Sequence, residues 1–293
     1  MACYHPITAW RSQVLNPSGK RSLIFKAAGG HGLPILINCG QCVGCKIERA
    51  RQLAIRCVHE SDQYEEKIFA TLTYSDAALP AGRSLRARHL QLFLKRLRRF
   101  FKARRLRFFA CGEYGDTTDR PHYHAILWNV NFHDRIRYDN ELFTSKTLDA
   151  IWSHGECKFG TVTYESAAYI ARYSLKKIRG DLAKEHYTRL DYDTGEIYEI
   201  EPEFIRMSQG LGRDWFIKNK SDLYPDDFVV QKGKKLRVPK YYDSKLPEHE
   251  LAPIKEQRKV AALRYRSNNT AARLAVRKEV QIAKLKQLKR KYE

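Results

Sequence analysis

The sequence predicts an α+β protein built on an antiparallel sheet. Two apolar-rich runs, 105–112 and 121–128, flank the turn-forming segment Gly115–Asp119, which is typical of a β-hairpin. A third run of β-branched and aromatic residues, 67–74, ends at the turn signal Ser75–Asp76. Helical patterns lie between these runs without the regular alternation of a parallel sheet, so an antiparallel arrangement is favoured.

Before the hairpin, residues 1–60 form a predicted Cys-rich segment that ends in a helix over 46–60. Residues 84–102 carry a clearer helical pattern, with Ser84 as the expected N-cap. Its apolar positions recur at helical spacing and are Leu90, Phe93, Leu94, Leu97 and Phe101. Residues 61–180 are therefore expected to form the sheet-containing core.

Beyond the hairpin, Gly160–Thr163 is expected to be a short strand and Ser166–Ile178 a helix that ends near Gly180. Residues 181–245 are polar and turn-rich, which predicts an extension to the core. Residues 246–293 carry 13 basic and five acidic residues and predict a basic tail of two helical segments.

The charge of the chain predicts a polyanionic partner. Its 293 residues include 54 Lys and Arg against 33 Asp and Glu, a formal net charge of +21, and 43% hydrophobic residues. Such a charge surplus on a folded chain attracts nucleic acid, the usual soluble polyanion. No apolar stretch has transmembrane length and no signal sequence is apparent, so no membrane partner is expected. Seven Cys do not suggest a disulfide framework and favour a reducing cytoplasm.

His122 and His124 are spaced to bind one metal ion, because alternate side chains of a β-strand leave the same face. Folding the hairpin about its midpoint places Glu113 opposite His122, where facing Cβ atoms are about 4.5–5.5 Å apart. A register slip of one residue would turn Glu113 to the other face. Two imidazoles and one carboxylate leave positions open for a substrate and suit Mg²⁺ or Mn²⁺.

Tyr169 and Tyr173 lie four residues apart, so their phenols share one face of the predicted helix, and Lys176 and Lys177 follow one turn later. A phenol, with a pKa of about 10, is a poor nucleophile unless a cation stabilises the phenolate. A metal that polarises a phosphodiester would allow tyrosine attack, leaving a 5′-phosphotyrosine and a free 3′-OH. A second nucleophile allows a second strand transfer. The alternative for tyrosines at this spacing is a structural core stripe.

Three segments in this order resemble the motifs of the HUH endonucleases, and among them the rolling-circle replication initiators of small single-stranded DNA phages of the gokushovirus type. They are Phe69–Tyr74, the pair Gly112–Gly115 and Arg120–His124, and Tyr169–Lys176. The resemblance implies a ferredoxin-like sheet, Mg²⁺ or Mn²⁺ dependence, and nicking of single-stranded or locally melted origin DNA, with Lys176 assisting at the phosphate. It also implies cooperation with host helicase and polymerase in the cytoplasm of an infected bacterium. Arg172 replaces the expected Lys after Tyr169, so the order of attack is open.

The segment Cys39–Cys45 supplies three thiols at spacings that suit a structural zinc ion: Cys39, Cys42 and Cys45. Cys3 and Cys57 are the candidates for a fourth ligand. Reduced, buried thiols are the alternative, and the Cys-Pro of the bacterial ferredoxin pattern is absent. This segment and the helix after it also resemble the phage proteins.

Residues 83–107 contain eleven Lys or Arg and no acidic residue. The predicted helix within this segment would bury its apolar side on the sheet and present its basic side to DNA phosphates. The residues expected to contact DNA are Arg96, Arg98, Arg99, Lys102, Arg172 and Lys177. For the basic tail, an ordinary solvated charged helix is the alternative to a DNA clamp.

Two functions of other classes account for parts of this pattern. An iron oxygenase uses the same two-His-one-carboxylate ligands, but it needs neither paired tyrosines nor a large positive charge. A non-catalytic nucleic-acid-binding protein would use zinc at the cysteines and would tolerate loss of both Tyr169 and Tyr173. Within the HUH group, a relaxase or transposase would share the chemistry and differ in its DNA substrate.

Overall fold

The secondary structure is that of a computed structural model, which describes residues 3–102, 104–172, 182–191, 194–224 and 226–287. Its strands are β1 (Ile7–Leu15), β2 (Arg21–Ile24), β3 (Gly30–Ile37), β4 (Lys67–Leu72), β5 (Arg107–Tyr114), β6 (Pro121–Trp128), β7 (Ile136–Arg137), β8 (Leu142–Thr144), β9 (Cys157–Gly160), β10 (Thr188–Leu190), β11 (Ile197–Glu199), β12 (Phe204–Met207), β13 (Phe228–Gln231) and β14 (Lys234–Arg237). Its α-helices are α1 (Val43–Ser61), α2 (Ala87–Phe100), α3 (Lys146–Trp152), α4 (Tyr164–Arg172), α5 (Leu182–Tyr187), α6 (Arg213–Leu223), α7 (Lys240–Asp243), α8 (Glu248–Leu263) and α9 (Ala271–Lys286).

The chain divides into two units. We call Met1–Arg49 with Ala252–Tyr292 the terminal unit, and Ala50–Leu251 the sheet unit. The terminal unit contains an antiparallel sheet in the order β2-β1-β3, together with α8 and α9. The two helical segments predicted for the tail are confirmed. The small sheet was not predicted, because its strands are mostly exposed and carry no regular apolar alternation.

The sheet unit is organised around seven antiparallel strands in the order β12-β5-β6-β4-β9-β8-β7. The predicted α+β class with an antiparallel sheet is confirmed. Within it, the chain order β4-α2-β5-β6-α3-β9 and the spatial order β5-β6-β4-β9 are those of a ferredoxin-like motif. The predicted hairpin is β5–β6, although β5 begins and ends two residues later than expected.

One face of this sheet packs against α2 and α3. Helix α2 buries four of the five predicted apolar positions, namely Leu90, Phe93, Leu94 and Leu97, and Phe101 packs against the same core while partly buried. Helix α3 adds Leu148 and the fully buried Trp152. The α2 and α3 layer fixes the sheet from behind, so the opposite face of β5 and β6 is positioned for other groups.

Two boundary predictions are wrong. Ser84 is not the N-cap of α2, which begins at Ala87 after Arg86. The Ser84 hydroxyl instead accepts a hydrogen bond from the Glu201 backbone N–H at 2.9 Å. The predicted strand Gly160–Thr163 lies too late, because β9 ends at Gly160 and Thr163 forms reciprocal hydrogen bonds with Ser166 at the start of α4.

Among the described residues, no helix combines the length and the apolar composition that crossing a membrane requires.

Candidate metal centre and cysteine cluster

The β5–β6 hairpin brings the three predicted metal ligands together. Glu113 pairs with His122 in the register expected from the sequence, and Cys111 pairs with His124. Because side chains alternate along each strand, Glu113, His122 and His124 all leave one face of the sheet. We call these three residues the triad. Since both strands are held by a continuous ladder of backbone pairs, the position of the triad is determined by the sheet itself.

The ligand atoms of the triad all lie within 4.8 Å of one another. Glu113 Oε1 is 3.0 Å from His122 Nε2 and 2.7 Å from His124 Nε2. The side chains of Glu113 and His124 are 1% exposed, whereas that of His122 is 18% exposed. The site is therefore closed on the side of His124 and open to solvent on the side of His122.

The donor set of the triad fits a cation. His122 Nδ1 lies 3.1 Å from the Arg120 carbonyl oxygen, which only accepts, so Nδ1 carries a hydrogen. In a neutral His122 the Nε2 lone pair then faces the Glu113 carboxylate, an arrangement that repels unless a cation or a proton lies between them. Burial acts to raise the pKa of Glu113, but hydrogen bonds from His122 and His124 outweigh it and lower that pKa below its ordinary value. The carboxylate is thus kept charged, as a metal ligand requires.

A threonine on the neighbouring strand orients His124. Thr71 of β4 pairs with His124, and its Oγ1 lies 3.0 Å from His124 Nδ1. This contact directs Nε2 toward Glu113, in the way that hydrogen-bonded partners orient metal-binding imidazoles. Sequence reasoning missed Thr71. Its position in a predicted strand was visible, but the pairing of that strand with β6 was not.

Tyr169 lies beside the triad. Its ring centroid is 5.1 Å from that of His124 and 6.4 Å from that of Phe69, edge-on in both cases. Tyr169 is 3% exposed and belongs to α4, which packs on β6. Tyr173, Lys176 and Lys177 lie outside the described residues. The structure thus brings one of the two predicted nucleophiles to the triad.

The second predicted site, in the terminal unit, brings together Cys3, Cys39, Cys42 and Cys45, whose Sγ atoms all lie within 4.8 Å of one another. The Cys3–Cys39, Cys3–Cys42 and Cys39–Cys45 sulfur atoms are 3.6, 3.9 and 4.0 Å apart. A tetrahedral zinc ion with Zn–S bonds of about 2.3 Å requires sulfur atoms about 3.8 Å apart. The four thiols, which we call the cysteine cluster, have this spacing. The other candidate, Cys57, is buried in α1 outside this group.

Backbone amides around the cysteine cluster favour thiolates. The N–H groups of Tyr4, Cys39 and Cys42 donate to the sulfur atoms of Cys42, Cys3 and Cys39, respectively, each at 3.3 Å. Burial acts to raise the pKa of Cys42, but hydrogen bonds from the backbone and from neighbouring thiols outweigh it and lower the pKa to about 6. A partly preformed thiolate set of this kind suits a structural metal.

The predicted DNA-contacting residues differ in their surroundings. Arg98, Arg99 and Lys102 are exposed at the end of α2 and just beyond it. Arg96 instead donates to the carbonyl oxygens of Ile151 and Trp152 at 2.6 and 2.7 Å. Its guanidinium therefore ties α2 to the end of α3, and we do not retain Arg96 as a DNA contact.

Arg172 is the other predicted DNA contact that the structure describes. It is half-buried and is the last residue of α4. Lys177, expected one turn later, lies outside the described residues.

A family model of replication-associated proteins of the ORF2 type matches residues 67–178, a span that contains the triad and both predicted nucleophiles. The chain is 31% identical to replication-associated protein VP4 of Bdellovibrio phage phiMH2K over 255 residues, which cover 83% of this chain and 76% of that protein. It is 34% identical to replication-associated protein ORF2 of Spiroplasma virus 4 over 250 residues, which cover 78% and 74% of the two chains.

A more distant relative is replication-associated protein ORF4 of Chlamydia phage 1, 26% identical over 216 residues, which cover 70% of this chain and 52% of that protein. No solved structure matches the chain. The chain belongs to the family of phage replication-associated proteins, so the resemblance to replication initiators of small single-stranded DNA phages is confirmed.

Proposed function

We propose that this protein is a rolling-circle replication initiator that nicks origin single-stranded DNA by tyrosine attack. The observation that carries the proposal is the packing of Tyr169 against His124, which places a phenol beside three converging metal-ligand side chains. Membership of the replication-associated family supports the same interpretation. A metal in the triad without a nearby nucleophile would fit many enzymes, whereas this pair has a specific use in phosphoryl transfer.

In this proposal Glu113, His122 and His124 hold Mg²⁺ or Mn²⁺, which supplies Lewis-acid polarisation of the scissile phosphate. The more exposed His122 side of the triad faces the solvent from which DNA enters. The tyrosine Oη forms a bond to phosphorus while the bond to the 3′ oxygen breaks. That oxygen takes up a proton and leaves as a 3′-OH, and the 5′ end stays on the tyrosine. Lys176 is the proposed proton donor, and the second tyrosine performs the later rejoining step.

The burial of Tyr169 bears on the order of attack. Its side chain is closed off by His124 and Phe69, so a phosphate reaches its hydroxyl only after α4 shifts or after DNA displaces part of this packing. We propose that Tyr173 makes the first attack and that Tyr169 acts in the second transfer. Each single Tyr→Phe variant then loses a different step.

For the cysteine cluster we propose a structural zinc ion. The sulfur spacing matches a tetrahedral site, and backbone amides already donate to three of the thiols. The proposed DNA contacts on the sheet unit are the exposed Arg98, Arg99 and Lys102, with Arg172 and Lys177 nearer the nucleophiles. Host helicase and polymerase are the proposed further partners, in the cytoplasm of an infected bacterium.

The test is the formation of a covalent protein–DNA adduct. Labelled oligonucleotides that tile candidate phage origins are incubated with the protein and Mg²⁺ or Mn²⁺, and products are separated on a denaturing gel. We expect an adduct that needs the metal, is lost in the Tyr169→Phe/Tyr173→Phe double variant and persists in Tyr164→Phe, a control on the same helix. With the order proposed above, Tyr173→Phe loses the first adduct and Tyr169→Phe retains it.

Other outcomes would contradict the proposal. Adduct formation by the double variant would remove the tyrosines from the chemistry. Iron-dependent oxidation without cleavage would favour the oxygenase alternative. DNA binding that is unaffected by metal, with no adduct on any origin sequence, would favour the non-catalytic zinc protein.

A further inference from the structure

A basic cleft lies at the end of the sheet unit away from the triad. Its volume is about 690 Å³, and it opens where β5 begins and where the chain leaves β12. Its walls include four basic side chains and two aromatic rings, namely Arg98, Arg105, Arg213, Lys245, Phe108 and Tyr241. We call this the basic cleft. It is not one of the features that the proposed nicking chemistry requires.

The cations of the basic cleft differ in how far they are neutralised within the protein. Arg107 at its floor is paired with the buried Glu60, with Nε 2.6 Å from Oε1, so it adds little charge to the cleft. Arg105 approaches Asp214 at 3.6 Å, but both side chains are more than half exposed, so this pair is weak. Within the described part of the chain, the exposed Arg98, Arg213 and Lys245 form no ion pair with a carboxylate.

Two of these cations lie over aromatic rings of the cleft. The Arg98 guanidinium is 5.7 Å from the centroid of Phe108, and the Lys245 ammonium is 5.2 Å from that of Tyr241. Contacts of this kind orient a cation without neutralising it. The cleft therefore presents positioned charges that remain available to an anion.

A buried polar network holds the wall of the cleft in place. Glu60 accepts from Arg107 and, through Oε2, from the Gly212 backbone N–H at 2.6 Å. Arg56 donates to the Leu211 carbonyl oxygen at 3.0 Å. Gly212 has φ +75°, and a Cβ there would lie 2.6 Å from the Tyr242 hydroxyl, so glycine is required at this turn. The wall is rigid before any ligand arrives, which reduces the entropy cost of binding.

We propose that the basic cleft binds phosphates of the same single-stranded DNA at a distance from the nick. This rests on the proposed function, because it assigns the cleft to the DNA that the triad cuts. Arg107 at the cleft and Glu113 in the triad are six residues apart on β5, a separation of about 20 Å. At about 3.4 Å per phosphate, as along one strand of a duplex, this spans about six nucleotides. One strand of moderate length can occupy both sites.

The test measures DNA binding under conditions in which nicking does not occur. Affinity of the full chain for fluorescein-labelled dT20 is measured by anisotropy between 50 and 300 mM salt, without added Mg²⁺ or Mn²⁺. The cleft variant is Arg98→Gln/Arg213→Gln/Lys245→Gln. Its matched control, Arg135→Gln/Arg137→Gln/Lys146→Gln, removes three exposed charges near the opposite edge of the sheet.

Each lost phosphate contact lowers the slope of log affinity against log salt by about 0.7 for single strands. We therefore expect the cleft variant to lower the slope by about 2, with a loss of affinity of more than tenfold at low salt, and the control variant to leave both nearly unchanged. Equal slopes for the two triple variants would overturn the proposal.

A charge-conserving variant separates a lost contact from a disturbed fold. Arg98→Lys/Arg213→Lys retains every charge of the cleft, so we expect the wild-type slope. If it loses as much as the glutamine variant, the effect comes from structure and the proposal fails. A failure of the nicking proposal is visible separately, as the absence of a covalent adduct, because this binding measurement does not depend on cleavage.

Discussion

The triad and the cysteine cluster are two metal-binding geometries built in opposite ways. The triad is carried by adjacent strands of one hairpin, and Glu113 and His122 are only nine residues apart in the chain. The cysteine cluster joins Cys3 to residues 36 and 39 positions later. The triad is thus a product of the sheet, whereas the small terminal unit gathers its thiols from distant loops and a helix start.

This contrast indicates which site depends on its metal for folding. A pair of strands in a sheet with a large apolar core keeps its geometry without an ion, and the ion adds chemistry. Small units with limited burial commonly need a staple such as a structural metal. The terminal unit exposes many of its large apolar side chains, Leu33 at 87% and Val14 at 74% among them. We therefore expect metal removal to affect folding at the cysteine cluster and activity at the triad.

The greatest change is expected from the loss of zinc at the cysteine cluster. Binding of a structural zinc ion contributes on the order of 10 kcal/mol to folding. Cys42→Ser, or treatment with a strong chelator, should remove hydrogen-exchange protection from β1–β3 and leave that of β4–β6 in place. Purified protein without about one equivalent of zinc, yet with a protected β1–β3, would contradict the comparison.

The next change concerns the triad. His124→Gln removes one metal ligand, and we expect at least a 100-fold lower rate of adduct formation, because a bound metal stabilises the transition state by several kcal/mol. Thermal unfolding should change little, since the strand ladder is retained. The exposed His133→Gln is the matched control and should leave the rate unchanged. A large fall in thermal stability for His124→Gln with normal activity would reverse the assignment.

A weaker effect is expected from the residue that orients His124. Thr71→Val deletes the hydroxyl 3.0 Å from His124 Nδ1. Loss of such an orienting partner weakens metal binding by about 10–100-fold. The measurement is the Mn²⁺ concentration that gives half-maximal adduct. The control is Thr73→Val, just beyond the end of β4, which removes a hydroxyl that donates to the Glu156 carbonyl oxygen. Equal Mn²⁺ requirements for the two variants would remove Thr71 from this role.

The most modest change is a pH dependence of the sheet unit. His59 is buried against Trp215, its Nδ1 lies 2.9 Å from the Tyr242 hydroxyl, and burial lowers its pKa to about 3. The unfolded chain, with the ordinary pKa near 6.5, therefore takes up a proton first as the pH falls. Stability from neutral His59 is complete above about pH 7 and is lost progressively from pH 6.5 toward 3, by about 2 kcal/mol between pH 7 and 5.

Urea unfolding of the sheet unit, followed by Trp fluorescence at pH 7 and 5, measures this loss. His59→Gln should reduce the difference between the two pH values by about the same 2 kcal/mol. An unchanged difference would mean that other groups set the acid sensitivity.

Sequence reasoning was accurate where the deciding contacts are local. The register that brings Glu113 to His122 follows from one short turn, and the apolar pattern of α2 identified the side that packs on the sheet. It failed where an element is defined by a distant partner. Phe204–Met207 looked like part of a turn-rich extension, yet these four residues form an edge strand on β5. So short a segment carries no periodic pattern of its own.

Patterns in the chain were enough to predict the fold class, the hairpin, the triad and the zinc-like spacing of three cysteines, because each depends on residues within one turn or one element. Tertiary contacts were needed to establish that Cys3 and not Cys57 completes the cysteine cluster, that Thr71 orients His124, and that Tyr169 lies against the triad. They also turned Arg96 inward and assembled the basic cleft from α2, β5 and segments more than 100 residues later. These contacts arise when apolar faces of separate elements are buried together, and no local spacing encodes which faces will meet.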